Sequence, residues 1–240
     1  MRLGVVEAGE HSTLGPVNYS AMELGVNPDG QVARTIDVMR DRALSDAADS
    51  GFKARAESIA GSGTDLEKIE RVYTHVKGSI RFQRDEATAQ GLINVLDAGD
   101  VVEVIIRPVD MARYVDAGMA AGDCDVFSMY LAGMLNAVGV QSSFVTVAAS
   151  GQAPDQYSHV YVVAYPIVDG QSVRMALDAS HGEYAGWEVP NAFGKLREWP
   201  VTVGACAMGF VGTVGASVLG VWTAWWLWKR FGGGVRGMAA

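Results

Sequence analysis

The sequence predicts an α+β fold, helices first and an antiparallel sheet after them, and three observations carry that expectation. Helical periodicity dominates from Gln31 to Val138, strand patterns rich in Val, Tyr and Phe occupy Ser143 to Leu177, and Asp169-Gly170 between two of those patterns marks a two-residue hairpin. The helix that begins at Cys124 lies between the two regions and is expected to pack on the sheet. A chain of 240 residues allows one full-sized domain plus an appendage.

The elements follow in order. Residues 1–30 are rich in Gly, Pro and Asn and read as an arm or an edge segment. From Gln31 to about Ala60, Val32, Ile36, Met39 and Ala43 share one helical face, which predicts a helix, or two interrupted near Gly51. Thr64-Asp-Leu-Glu67 is a capping box opening a second helix, with Leu66, Ile69, Val72, Tyr73 and Val76 as its buried stripe and a stop near Gly78. His75 sits beside that stripe as a half-buried structural histidine. Ile80 to Gln83 should leave the helix extended. Leu92 to Leu96 and Val101 to Ile106 are strands or short buried segments, and Met111, Tyr114 and Val115 suggest one more helix ending at Gly118.

The charge is unevenly placed. The first 200 residues hold 16 basic and 27 acidic side chains, a formal charge of −11, which argues against nucleic-acid binding because such a surface repels phosphate. Two cysteines, Cys124 and Cys206, lie in regions of opposite character, so no disulfide framework is expected. The N-terminus lacks the sustained apolar stretch of a cleavable leader.

Chemistry concentrates around Cys124. Asp123 is a suitable N-cap, Phe127, Tyr130, Leu131, Met134, Leu135 and Val138 recur at helical spacing, and Gly139 supplies the stop. A cysteine at a helix mouth faces the positive end of the macrodipole, which favours thiolate over thiol. Asp123 and Asp125 flank the sulfur and oppose that effect.

Downstream, the Asp169-Gly170 turn pairs Val168 with Gln171. Counting back from it, His159 lies opposite Ser180 and Asp178 opposite Tyr161. His159 and Asp178 then share a face as diagonal neighbours, whereas a one-residue slip would part them. A carboxylate that orients an imidazole, whose other nitrogen takes a proton from a thiol, is the relation nucleophilic catalysis needs. Cys124, His159 and Asp178 are therefore the candidate catalytic residues. His181 is a competing base, or a metal ligand with Cys124 and His159, but that spacing matches no standard zinc pattern. Neither a metal nor a cofactor is expected. The oxyanion donor is the Cys124 backbone N–H, with Gln83 or Tyr114 as positional candidates for a second.

Gly122-Asp-Cys124-Asp, a helix ending in Ala-Val-Gly139-Val, His159-Val-Tyr and Ala-Leu-Asp178-Ala-Ser together resemble the transglutaminase-like cysteine-peptidase superfamily, in particular its phage and prophage members. The resemblance covers about residues 64–180. It implies a papain/transglutaminase-like fold, with Cys124 as nucleophile, His159 as general base and acid, and Asp178 as orienting carboxylate. It also implies amide cleavage or cross-linking through a thioacyl enzyme.

From Val201 to Trp228, 28 residues carry no charge. As a helix they would extend about 42 Å, against a bilayer core of roughly 30 Å. Trp222, Trp225, Trp226 and Trp228, followed by Lys229 and Arg230, fit a membrane interface, and Gly212, Ala216 and Gly220 form a line suited to helix pairing and a homo-oligomer. The expected divisions are an arm and helix over 1–60, a catalytic domain over 61–200, a transmembrane helix over 201–229 and a basic tail over 230–240. The expected protein is a membrane-anchored cysteine hydrolase acting on protein or peptidoglycan peptide. The rival is a phage virion or tail protein that keeps the fold with or without turnover.

Overall fold

The computed structural model describes residues 9–11, 15–17, 19–23, 28–84, 102–150, 153–191 and 194–202. Strands β1 (Gly9–His11) and β2 (Gly15–Val17) pair with each other, and β3 (Tyr19–Glu23) pairs antiparallel with β5 (Val102–Ile106). Within residues 1–30, read as an arm or an edge segment, the chain thus forms short paired strands.

Helix α1 (Pro28–Ala47) and helix α2 (Ser50–Ala60) are separate, because Asp49 leaves the helical region and its carboxylate accepts the Phe52 N–H as the cap of α2. The predicted face of α1 is buried at Ile36, Met39 and Ala43. Helix α3 (Asp65–Ser79) opens with both halves of the capping box formed: Glu67 N–H donates to Thr64 Oγ1, and Thr64 N–H donates to Glu67 Oε2. Ile69, Val72, Tyr73 and Val76 are its buried residues. His75 is half-buried there, its Nδ1 3.4 Å from Ser79 Oγ.

Helix α4 (Pro108–Asp116) starts with proline at its first position, where no N–H is needed. Arg107, just before it, forms an ion pair with the fully buried Asp46 at the end of α1, and Asp46 also accepts the Val109 N–H. One carboxylate therefore ties two helices together. Helix α5 (Cys124–Ala137) is buried nearly all round, from Asp125 to Leu135. It is the central helix of the core, sharing one buried cluster with Ile36 and Met39 of α1, Phe52 of α2, Val72 of α3 and Met111 of α4.

Among the described residues the main sheet is four-stranded and antiparallel throughout. Its order is β11 (Met175–Leu177), β8 (His159–Ala164), β7 (Ser142–Val147), β12 (Leu196–Val201). Phe144, Val160, Val162, Ala164 and Leu177 turn toward α5, while Val145, Val147, Tyr161, Val163 and Ala176 form a second cluster on the other face. The expected third strand is divided into β10 (Gln171–Ser172), which pairs with β9 (Ile167–Val168), and β11.

Two short strands matter for the site. β4 (Arg81–Phe82) pairs in parallel with β6 (Ala121–Gly122), setting Phe82 beside Gly122. The chain there passes so close to α5 that a Cβ on Gly122 would lie 2.6 Å from Val126 Cβ.

The C-terminal part of the expected fold class is corrected. Among the described residues no helix is long and apolar enough to cross a membrane. Val201, the expected first residue of the span, is instead the last residue of β12, paired with Ser142 and buried. The pattern of Leu196 to Val201 does not predict a strand: Arg197 and Glu198 stand side by side, Pro200 interrupts Trp199 and Val201, and Val201 merges into the uncharged run that follows. Residues 203–240, with Gly212, Ala216, Gly220, the tryptophan cluster and the basic tail, lie outside the described residues, as does Leu92 to Leu96.

Substituting Gly122→Ala is expected to destabilise the chain by about 1–3 kcal/mol, since the added methyl meets a branched side chain that cannot swing away. Equilibrium urea unfolding checks it, with Gly78→Ala, where a Cβ has open space, expected to show no such loss.

Candidate active site

The hairpin turn fixes the register. Asp169 and Gly170 both take positive φ, 51° and 77°, as a turn that joins two strands by two residues requires. Val168 pairs with Gln171, Leu177 with Val162 and Met175 with Ala164. Continued by one step, this register sets Asp178 opposite Tyr161, as the sequence predicts. His159 Nε2 and Asp178 Oδ2 are 2.7 Å apart, with both side chains buried.

The carboxylate is held from every side. Asp178 Oδ1 accepts from Ser180 Oγ at 2.9 Å, the His181 N–H at 2.9 Å and the Ser180 N–H at 3.2 Å, while Oδ2 faces His159. Burial pushes its pKa up, but the hydrogen bond and charge of His159, with the His181 N–H and Ser180, outweigh it and hold the carboxyl below its ordinary range. With Nε2 engaged by a carboxylate, Nδ1 is the nitrogen left to accept a proton.

The turn after Asp178 is braced by helix α3. Tyr73 Oη donates to the Asp178 carbonyl at 3.1 Å and the Gly182 carbonyl at 3.2 Å, and Lys77 Nζ donates to Gly182 O. Burial, then the charge of Asp178, raises the Tyr73 pKa, so the phenol stays a donor. A Cβ on Gly182 would lie 2.5 Å from Asp178 O, so the turn closes only with glycine there. Tyr73 is legible in the sequence as part of a buried stripe, but its bracing of Asp178 is not, because the partners are 105 and 109 residues away.

Cys124 is the first residue of α5, half-buried and not in a disulfide. Asp123 is the N-cap by backbone conformation, yet its side chain makes no capping hydrogen bond. Two sets of contacts locate the helix mouth. Ser128 Oγ donates to the Val160 carbonyl at 3.1 Å, and Asn136 Nδ2 donates to Ser142 Oγ at 2.9 Å, where Ser142 pairs with Ala164. Helix α5 therefore runs in the same direction as β8, with its positive end at the His159 end of the strand. Independently, Phe82, paired with Gly122, packs edge-on against His181 with ring centroids 5.1 Å apart, and His181 packs edge-on against His159 at 4.9 Å.

His159 stacks on Tyr161, with ring centroids 6.1 Å apart. Gln83 N–H donates to Gly122 O at 2.8 Å, which sets Gln83 beside the entry to α5, whereas Tyr114 is buried in the core on α4. Burial pushes the Tyr114 phenol up to about 12.

His181 is exposed at the mouth of this group. Partial desolvation of its ring on the side facing the pair, then the neighbouring His159, lowers its pKa.

No family model and no curated protein matches the chain. Among solved structures it is similar to a candidate cysteine protease from Cytophaga hutchinsonii, with 13% identity over 69% of this chain and 50% of that one and a TM-score of 0.39. A candidate protease from Parabacteroides distasonis matches at 18% identity over 58% of this chain and 25% of that one, TM-score 0.36. A Rad4–Rad23 structure bound to a 6-4 photoproduct UV lesion matches at 9% identity over 74% of this chain and 48% of that one, TM-score 0.38. The chain spans half or less of the length of each. At such scores these likenesses carry no inference about activity, and the phage, virion, tail and membrane attributes expected from sequence gain no support from them.

Asp178 sets a pH dependence whose sign is fixed by its lowered pKa. The stabilisation it contributes is complete above the ordinary carboxylate value of about 3.9 and is lost as pH falls through its own lower value. Thermal unfolding scans should show the melting temperature falling more steeply below about pH 4 in the wild type than in Asp178→Asn.

Proposed function

We propose that the chain is a cysteine-dependent amide hydrolase that works through a thioacyl intermediate. The observation that carries this reading is the buried 2.7 Å His159–Asp178 pair, standing at the end of the sheet where α5 opens with Cys124. Two features support the assignment of roles. The pair leaves His159 Nδ1 as the proton acceptor, and the positive end of α5 favours sulfur in its ionised form.

In the proposed reaction His159 takes the Cys124 proton and the sulfur attacks the amide carbonyl. His159 then returns the proton to the departing amine, and water releases the acyl group with the same base. Asp178, caged by four hydrogen bonds, keeps its charge and holds the imidazolium. The backbone N–H groups at the start of α5 are the oxyanion donors of this scheme, with Gln83 as the side chain to test beside them. The substrate is an amide of protein or of a peptidoglycan peptide.

A peptidyl acyloxymethyl ketone offered to the full chain should add once, at Cys124, as read by mass spectrometry of the digested protein. His159→Ala should slow that labelling by about 10²–10⁴-fold, the usual contribution of a general base, and Asp178→Asn should slow it by less. Labelling of Cys124 at an undiminished rate in His159→Ala would exclude the triad.

A further inference from the structure

His159, Asp178 and His181 each offer a ligand atom, and the three atoms lie within 4.8 Å of one another. Two imidazole nitrogens and a carboxylate oxygen are donors that zinc accepts, at about 2.0–2.2 Å, with water completing a tetrahedron. The proposed hydrolysis uses only two of the three residues, which leaves His181 without a part in it.

The supports for these side chains are of the kind a metal site needs. Ser180 Oγ is 2.9 Å from His181 Nδ1 and holds that ring in place, while the same hydroxyl and two backbone N–H groups fix Asp178. The rings of His159 and His181 stand at 86° to each other, and His181 is exposed where the other two are buried. An ion therefore has a route in from the His181 side.

We propose that His159, Asp178 and His181 bind a divalent ion of zinc's type, and that the ion holds the site inactive. The ion would take the place of the proton between His159 Nε2 and Asp178 Oδ2, which must part by roughly half an ångström to span a tetrahedral edge. The neutral imidazole keeps its single N–H by moving it to Nδ1, so no proton is released. Nδ1 then carries hydrogen and no longer accepts a proton from a thiol. The binding site stands apart from the hydrolase reading; the inactivation rests on it.

Zn²⁺ titrated into the full chain in competition with a chromogenic chelator tests the site. One ion per chain is expected, bound at micromolar affinity or tighter. Binding should be at least tenfold weaker in His181→Ala and in Asp178→Asn, and unchanged in His75→Ala and in Cys124→Ala. Because His181 is exposed, His181→Ala should melt within a few degrees of the wild type, which separates loss of a ligand from loss of fold. Absence of binding to the wild type, affinity in His181→Ala within twofold of it, or binding that disappears in Cys124→Ala overturns the ligand set. Cys124 labelling by the ketone should be suppressed by Zn²⁺, restored by chelator and insensitive to Zn²⁺ in His181→Ala. Labelling that ignores bound Zn²⁺ overturns the inactivation while leaving the ion site in place.

Discussion

The register between β8 and β11 is the constraint on which the candidate site depends. Side chains of a strand alternate with a period of two, so only one parity of pairing brings an imidazole and a carboxylate to the same face. The turn at Asp169 and Gly170 selects that parity, because two residues at positive φ close the hairpin with Val168 against Gln171. Everything built around Asp178, including the brace from Tyr73 and the closeness of His181, inherits its position from those two residues.

A second constraint acts from the helical side. Helix α5 is surrounded by α1 to α4 and one face of the sheet, so its axis is fixed by packing, not by its own propensity. The hydrogen bonds at Ser128 and Asn136 then set its direction along β8, and Gly122 lets the preceding strand pass close to its first turn. The mouth of the helix is thereby held at the end of the sheet that carries His159. Fold and site share one set of determinants: the core places the helix tip, and the turn places the pair.

Much of this is legible in the sequence because it is local. The capping box at Thr64 and Glu67, the break between α1 and α2, the helix opening at Cys124 and the hairpin register all follow from residues within a few positions of each other. What is not legible depends on distant partners. The tie between Asp46 and Arg107 spans 61 residues, and the hold of Tyr73 on the Asp178 turn spans 105. No periodicity reports either. The pairing of β3 with β5 is hidden for the same reason, since a short polar-flanked segment near the N-terminus acquires strand character only from its partner. Val201 misleads in another way: a buried strand end and the start of an uncharged run look alike when only hydropathy is read.

The placement of β12 has a further consequence, for association. Among the described residues it is the outermost strand next to β7, the position at which a sheet offers backbone groups to an extended chain. Its composition is ill suited to that: Pro200 has no N–H to donate, and Arg197 and Glu198 bring charge to the rim. The opposite rim, β11, is only three residues long. Among the described residues, both borders of the sheet are thus ill suited to strand addition between copies.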